Sequence, residues 1–463
     1  MTTTTQPARW QAQHAATPAA RVRWHLPLWI AFGTLVAVGL FWLRDGGLGA
    51  LSGGPGAWVT SIGRFTGLVA ADLLLIQVVM LARVPWIERQ YGQDLLARWH
   101  RLVGFTSFLL LVSHIAATTL GYAAIERSPL LREAWNLVTT YPGMLLATVG
   151  TAALVMVTVT SVKIARARLR YESWHLLHLY AYLGIGLSLP HEFWTGADFA
   201  QPAAQVFWWT LYAIAAGSIL AYRVGVPLWR SARHGVRVEA VAHEIPGITS
   251  VYLRGRHLDR LGARAGQFFL WRFRDRRGWT RANPFSLSAA PRPDLLRITV
   301  KDVGDGSGAV AGLRPGTRVL FEGPYGRFTG DVRRCARITL IACGIGITAI
   351  RALLEAEPYR PGDATLIYRA RQPEDFAFLR EIDAIAAARG VNVIFLPGSR
   401  GPDGTWLPDG YPGPLASLNR MVPQLTRSDV FVCGPERWME SVVATLYEAE
   451  VPDDQIHVER FGW

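Results

Sequence analysis

Trp174-His175-Leu176-Leu177-His178-Leu179-Tyr180, closed at the far end of the same apolar stretch by Pro190-His191, is the passage on which the architecture turns. Residues 173–191 contain no acid, lysine or arginine. As a helix they reach across a hydrocarbon layer of about 30 Å. An upstream stretch has the same character, Trp99-His100-Arg101-Leu102-Val103-Gly104 followed by Ser113-His114. The step from His100 to His114 is close to four helical turns, about 21 Å along the axis, which keeps both rings on nearly one face. His178 and His191 are one residue closer, which sets them roughly 140° apart on an ideal helix. Pro190 offers a kink at that point. One histidine in an apolar helix is ordinarily a hydrogen-bonded core residue. Four at matching depths, on two helices of the same direction, form two tiers. Facing imidazoles in two tiers suit two six-coordinate haems, each iron taking a nitrogen from either side. The inner pair is then His100 and His178, the outer pair His114 and His191. His175 is left to hydrogen bonding or to a haem propionate.

The rest of the first half predicts a six-helix transmembrane bundle over 24–230. Its spans are 25–43, 65–82, 102–125, 134–162, 173–191 and 199–222, and none follows Arg223. Asp72 interrupts the second, as a functional carboxylate or as a hydrogen bond to a neighbouring helix. The first span exceeds the h-region of a signal peptide and follows a long polar tail, so it reads as a membrane helix. Residues 1–23 read as a disordered cytoplasmic tail. Lys and Arg sort to one side: Arg9, Arg21 and Arg23, then Arg83, Arg89, Arg98 and Arg101, then Lys163, Arg166, Arg168 and Arg170, then Arg223 and Arg230. The opposite loops hold Arg44, Arg127 and Arg132. The bias puts both termini in the cytoplasm of a multi-pass protein of the cell membrane.

Composition agrees. Of 463 residues, 50% are hydrophobic and 18% charged, which excludes a disordered chain. Three cysteines, Cys335, Cys343 and Cys433, are too few for an all-cysteine iron–sulfur centre or a zinc ribbon. With spans present, the net charge of +13 belongs to membrane topology rather than to nucleic-acid binding.

The second half changes period. Short alternating strands punctuated by Gly and Pro predict an antiparallel β-barrel flavin domain over 234–331. From 332 to 463, strands alternate with helices, as in a doubly wound α/β nucleotide-binding domain. Arg281-Ala282-Asn283-Pro284-Phe285-Ser286-Leu287-Ser288 offers a flavin a ring to stack on, hydroxyls for the isoalloxazine edge and a guanidinium for the diphosphate. Cys343-Gly344-Ile345-Gly346-Ile347-Thr348 lies between a strand and a helix, where glycines let a pyrophosphate approach. Val432-Cys433-Gly434-Pro435 ends a late strand, at the crevice position of an open sheet.

In this order the motifs resemble a known family. The soluble half looks like the ferredoxin–NADP reductase module and the membrane half like the ferric reductase-like transmembrane domain, the combination of the ferric reductase and NADPH oxidase superfamily. The resemblance implies haem b ligation by His100, His114, His178 and His191. It implies FAD contacts at Arg281, Asn283, Pro284, Phe285, Ser286, Leu287 and Ser288, and at Lys301, Ser307 and Gly308. Nicotinamide nucleotide contacts are implied at Gly344, Gly346, Thr348, Cys433, Gly434 and Pro435. Phe285, Ser286, Cys433 and a C-terminal aromatic, here Trp463, would stand nearest the hydride transfer. Two departures from the family pattern are Ala349, where many members have proline, and the acidic, glycine-rich stretch 302–308.

A nicotinamide gives up two electrons together and haem iron takes one, so a flavin between them is required. The expected path is NADPH, FAD, inner haem, outer haem and an acceptor outside. A ferric chelate is the first expectation for that acceptor. Superoxide formation from O2 and delivery to a periplasmic protein are alternatives, and a haem or metal transporter would leave the flavin motifs unused. Arg369 and Arg371 follow the strand at 365–368, where an NAD site would offer an acid, and Arg400, after Gly398-Ser399, is a second candidate. Arginines there favour the 2′-phosphate of NADPH.

Overall fold

A computed structural model of the protein describes residues 26–50, 52–166, 168, 171–274, 282–401 and 404–460. The chain parts between Val224 and Gly225 into two compact units, slightly before the boundary expected at 230.

The first unit is helical throughout. Its main elements are α1 (Leu26–Arg44), α2 (Pro55–Leu81), α3 (Gln93–Glu126), α4 (Leu130–Thr140), α5 (Met144–Ser161), α6 (Tyr171–Thr195) and α7 (Pro202–Ile219). Among the described residues, five helical runs are long and apolar enough to cross a membrane: Leu26–Arg44, Pro55–Leu81, Leu95–Glu126, Met144–Ser161 and Pro202–His234. Helix α6, at 25 residues, has the length but not the hydropathy, because histidines and glutamates interrupt it. The fourth span begins at Met144, not at 134. Pro142 and Gly143, the latter at φ 82°, break the expected helix and set α4 apart as a separate amphipathic piece.

Helices α2 and α3 run antiparallel with glycine in the seam. A Cβ on Gly63 would lie 2.9 Å from the Thr118 backbone nitrogen, and one on Gly121 would lie 3.0 Å from the Gly56 carbonyl oxygen. Helices α5 and α6 touch through Gly150 and Gly184, where an added Cβ would come within 2.7 and 2.9 Å of the other's carbonyl oxygen. Small residues let membrane helices approach this closely, and dispersion then holds them.

The second unit opens with α8 (Val226–His234), which packs on a strand through Ser231; its hydroxyl accepts from the Phe321 N–H at 3.1 Å. The flavin-type domain has strands β1 (Arg237–Ile245), β2 (Ile248–Arg254), β3 (Phe268–Phe273), β4 (Asn283–Ser286), β5 (Leu295–Lys301) and β6 (Val319–Tyr325). These make two three-stranded antiparallel sheets, ordered β1-β2-β5 and β4-β3-β6, rather than the closed barrel expected. Single bridges, Arg237 to Arg318 and Leu287 to Ile298, join their edges. Strand β4 is four residues long and contains Pro284, so it cannot extend a ladder across that seam. Val251, Phe269, Trp271, Leu287, Ile298 and Phe321 fill the space between the sheets.

A parallel sheet follows, built from β7 (Arg337–Cys343), β8 (Ala364–Ala370), β9 (Asn392–Pro397), β10 (Ser428–Gly434) and β11 (Ile456–Arg460) in the order β11-β10-β7-β8-β9. Its helices are α9 (Ile347–Ala356), α10 (Leu379–Arg389), α11 (Pro414–Met421) and α12 (Glu436–Glu448). Leu340, Leu366 and Phe431 belong to one core, Ile341, Ile367 and Val432 to another. Neighbouring residues of a strand thus bury on opposite faces, as a doubly wound sheet demands. From β7 the chain runs outward through β8 to β9 and then crosses back to β10 on the other side of β7, and this reversal of strand order opens a crevice between the carboxyl ends of β7 and β10.

Candidate functional site

In the helical unit the four histidines meet in pairs. Ring centroids of His100 and His178 are 5.9 Å apart, and those of His114 and His191 are 6.3 Å apart. Both pairs join α3 to α6, despite the shorter spacing on α6.

The hydrogen bonds fix the tautomers. His114 Nδ1 lies 2.8 Å from the Gly63 carbonyl oxygen and His100 Nδ1 lies 3.3 Å from that of Gln77. A carbonyl only accepts, so Nδ1 carries the proton in both rings. Fourteen residues separate the two carbonyls and fourteen separate the two histidines, so one antiparallel register of α2 against α3 serves both tiers. On α6, His191 Nδ1 lies 2.9 Å from Thr195 Oγ1, whose own proton goes to the His191 carbonyl at 2.7 Å. His178 Nδ1 lies 3.3 Å from Ser161 Oγ, whose proton goes to the Val157 carbonyl at 2.7 Å. Those hydroxyls accept from Nδ1 as well. All four rings therefore keep a bare Nε2 lone pair, the form in which imidazole binds a metal.

Two imidazoles bound through Nε2 to one ion, each bond about 2 Å, have centroids roughly 6 Å apart. The observed separations fit that. No cluster of three or more His, Cys, Asp or Glu suited to a bare metal ion occurs among the described residues. Paired ligands of this kind fit a haem. Asp72, fully buried, accepts a hydrogen bond from the Thr34 hydroxyl on α1 at 3.0 Å.

In the soluble unit, β4 carries the expected flavin motif. Trp271 Nε1 donates to the Phe285 carbonyl at 3.1 Å and Asn283 Nδ2 to the Trp271 carbonyl at 3.4 Å, which fixes the strand. Ser286 is buried, and no hydrogen bond of its hydroxyl to protein occurs among the described residues. It is the hydroxyl of this motif still available to a cofactor. Leu287 and Ser288 are not. Leu287 is a core side chain, and Ser288 Oγ accepts from Thr299 Oγ1 at 2.7 Å and from Arg297 Nε at 3.1 Å, in a buried network. Ser307 spends its proton on the Gly304 carbonyl and accepts from the Val303 N–H, so it closes its own loop, and a Cβ on Gly308 would meet Asp302 at 2.9 Å. Lys301 is exposed at the end of β5. Arg281 and Trp463 lie outside the described residues, as does the tail 1–23.

At the crevice, Gly344 has φ 56° and nothing within 4 Å of where a Cβ would stand. That is the geometry of a backbone turned toward a ligand. Gly346 serves packing instead, since a Cβ there would strike the Cys433 carbonyl oxygen. The Thr348 hydroxyl donates to the Ile345 carbonyl at 2.9 Å and so holds the loop. Cys433 is fully buried, and burial pushes its thiol well above the usual range. Its backbone borders the crevice while its sulfur sits in the core. A Cβ on Gly434 would meet the Trp438 ring at 2.8 Å, and Pro435 starts α12. The arginines separate. Arg369 is buried, its Nη2 donating to the Gly398 carbonyl at 3.2 Å, and Arg400 Nε donates to the Thr405 carbonyl at 2.9 Å. Arg371 is exposed.

Residues 66–189 match the family model of the ferric reductase like transmembrane component, and residues 340–444 match that of the oxidoreductase NAD-binding domain. Ferredoxin–NADP reductase B of Sorangium cellulosum is 32% identical over 187 residues, covering 37% of this chain and 73% of that protein. The chain belongs to the ferredoxin–NADP reductase-type family and carries, before that module, a ferric reductase-like transmembrane domain. As such it is a membrane-associated oxidoreductase of electron transport. The ferredoxin reductase component of the 3-ketosteroid-9-alpha-monooxygenase of Mycobacterium tuberculosis is 30% identical over 210 residues, covering 44% of this chain and 56% of that protein. The solved ferredoxin reductase in carbazole 1,9a-dioxygenase is similar at 21% identity and a TM-score of 0.40, over 50% of this chain and 69% of that one. In this ferric reductase-like protein the soluble module is the FAD and nicotinamide nucleotide binder.

Proposed function

We propose that this protein is a transmembrane reductase that takes electrons from cytoplasmic NADPH and delivers them to a ferric chelate on the outer face. Six helices, α6 included, cross the bilayer with both termini inside. His100 and His178 hold an inner haem b, His114 and His191 an outer one. Bound in these places, FAD supplies the conversion of a two-electron hydride into single electrons, and the haems supply conduction across the bilayer. One NADPH then leaves a proton in the cytoplasm and reduces two ferric ions, one electron each.

The observation that carries this reading is the pair of histidine tiers, with Nδ1 of all four rings hydrogen-bonded and ring centroids at a separation suited to one iron between each pair. The protein's own work is positional. Backbone carbonyls of α2 and hydroxyls of α5 and α6 hold the rings, Ser286 meets the flavin edge, and Gly344 gives the nucleotide its backbone. NADPH added to purified protein with FAD should give the reduced-minus-oxidised spectrum of low-spin haem. Fe(III)-chelate reduction and superoxide should be measured side by side in the same preparation. Ferric reduction that exceeds superoxide supports the proposal. Haem reduction with superoxide alone would move the acceptor to O2, and no haem reduction would overturn the reading.

A further inference from the structure

The two tiers are not built alike. At the outer tier both histidines rest against a glycine. Gly67 of α2 lies under the His114 ring: a Cβ there would be 2.5 Å from Nδ1 and 2.9 Å from both Cγ and Cε1. The same Nδ1 donates to the Gly63 carbonyl, one helical turn away. The ring thus lies flat on a stretch of helix that only glycine leaves bare. Gly143, at the break before α5, stands against the backbone of the other outer residue. A Cβ there would be 2.7 Å from the His191 nitrogen, 2.8 Å from the Pro190 carbonyl carbon and 3.0 Å from the His191 Cα. Gly143 also has φ 82°, a conformation that strains any other residue.

At the inner tier, no glycine among the described residues has His100 or His178 among its nearest atoms. His100 is held by the Gln77 carbonyl, His178 by Ser161 and by the Trp174 ring, 5.0 Å away centroid to centroid. Gly104, one turn from His100, faces only Gln77 Oε1, the far end of a flexible side chain.

We infer that Gly67 and Gly143 are positioning residues for the outer haem alone. Gly67 sets the plane of His114, whose tautomer the Gly63 carbonyl holds. Gly143 presses on the α6 backbone at Pro190 and so places His191 opposite it, which is how a 13-residue step on α6 meets a 14-residue step on α3. A methyl at either position displaces one axial nitrogen of the outer pair, and because the neighbours are a ring seated on a helix and a backbone, neither can swing aside. The inner pair has no such contact to lose.

The inference rests on the two-haem reading, and the test separates the two. Wild type, Gly67→Ala, Gly143→Ala, His114→Ala and, as control, Gly33→Ala are purified with flavin, and haem per flavin is read by pyridine haemochrome with a redox titration. Gly33 lies on α1 with nothing within 4 Å of a Cβ. Wild type and Gly33→Ala should hold two haems per flavin and titrate in two steps. Both glycine variants should fall to one haem and one step while NADPH still reduces the flavin. A wild type without two haems, or a His114→Ala with undiminished haem, overturns the two-haem reading itself. Two haems retained in Gly67→Ala and Gly143→Ala, beside a His114→Ala that has dropped to one, overturn only this inference. Loss of both haems together also overturns it, because the effect must be confined to the outer tier.

Discussion

Arg297 of β5 and Glu381 of α10 form a two-pronged ion pair, Nη1 to Oε1 at 2.8 Å and Nη2 to Oε2 at 3.0 Å. Arg297 is 5% exposed. Its Nη2 also donates to the Ser288 carbonyl at 2.8 Å, and Arg351 of α9 reaches the same carbonyl at 3.1 Å and Glu381 at 2.6 Å. The end of the flavin motif is therefore tied to two helices of the nucleotide domain. Glu381→Ala leaves two buried guanidiniums short of a carboxylate, at a cost of about 2 kcal/mol. Flavin-fluorescence melting should fall by about 4–8 °C.

The same pair predicts a pH dependence. Burial pushes the Glu381 carboxyl up, but hydrogen bonds and charge from Arg297, with Arg351, outweigh it and the net displacement is downward. A depressed carboxylate contributes stability above its unfolded value of 4.5, and that stability is lost as pH falls below it toward the folded value. Melting temperature should drop through that acid window in wild type and drop less in Glu381→Gln.

Glu88, on the short helix Pro85–Tyr91, has the opposite sign. Burial pushes its carboxyl up to about 7 against the pull of Arg83, Arg89 and Arg223. The folded state therefore holds the proton more tightly than the unfolded chain. That contribution is full below 4.5 and is lost as pH rises to about 7. In that interval stability should fall by on the order of 1 kcal/mol per pH unit. Glu88→Gln should match wild type at pH 4 and exceed it at pH 8 in a detergent melting series.

Thr195 accepts from His191 Nδ1 and so keeps Nε2 available. Thr195→Val preserves shape and removes the acceptor. Outer partners of this kind contribute about 10–100-fold in affinity for the bound metal. Transfer of haem to an apo-globin trap should accelerate by about tenfold or more for one of the two proposed haems. Equal loss from both would contradict the pairing.

Of the arginines expected at the nucleotide ribose, Arg369 is buried and Arg371 and Arg400 are exposed, and the side chains of Arg369 and Arg400 are committed to the carbonyls of Gly398 and Thr405. Arg371→Ala should lower kcat/KM for NADPH by about tenfold, or about 1.4 kcal/mol, and leave NADH unchanged. Arg369→Ala should instead lower the melting temperature, with the NADPH to NADH ratio preserved.

Sequence by itself determined what depends on period and local chemistry. Runs of bilayer length gave most of the spans, and strand–helix alternation gave the α/β sheet from β7 onward. The His100–His114 spacing gave a tier because it is nearly a whole number of helical turns. Locally ambiguous elements were not legible. Strand β4, four residues with a proline, hid inside an eight-residue motif, and α4 hid inside an apolar run because Pro142-Gly143 breaks a helix only where the backbone has room to turn. Tertiary structure alone decided which side chains of each motif are taken up by other parts of the fold. Ser286 and Ser288 are two residues apart on one strand, yet one keeps its hydroxyl and the other is consumed by Arg297 and Thr299, residues of β5 that no local spacing places there. The pairing of His191 with His114 was decided in the same way. An ideal α6 would aim it elsewhere, and it arrives because a glycine 48 residues upstream, Gly143, has no side chain to keep the two backbones apart.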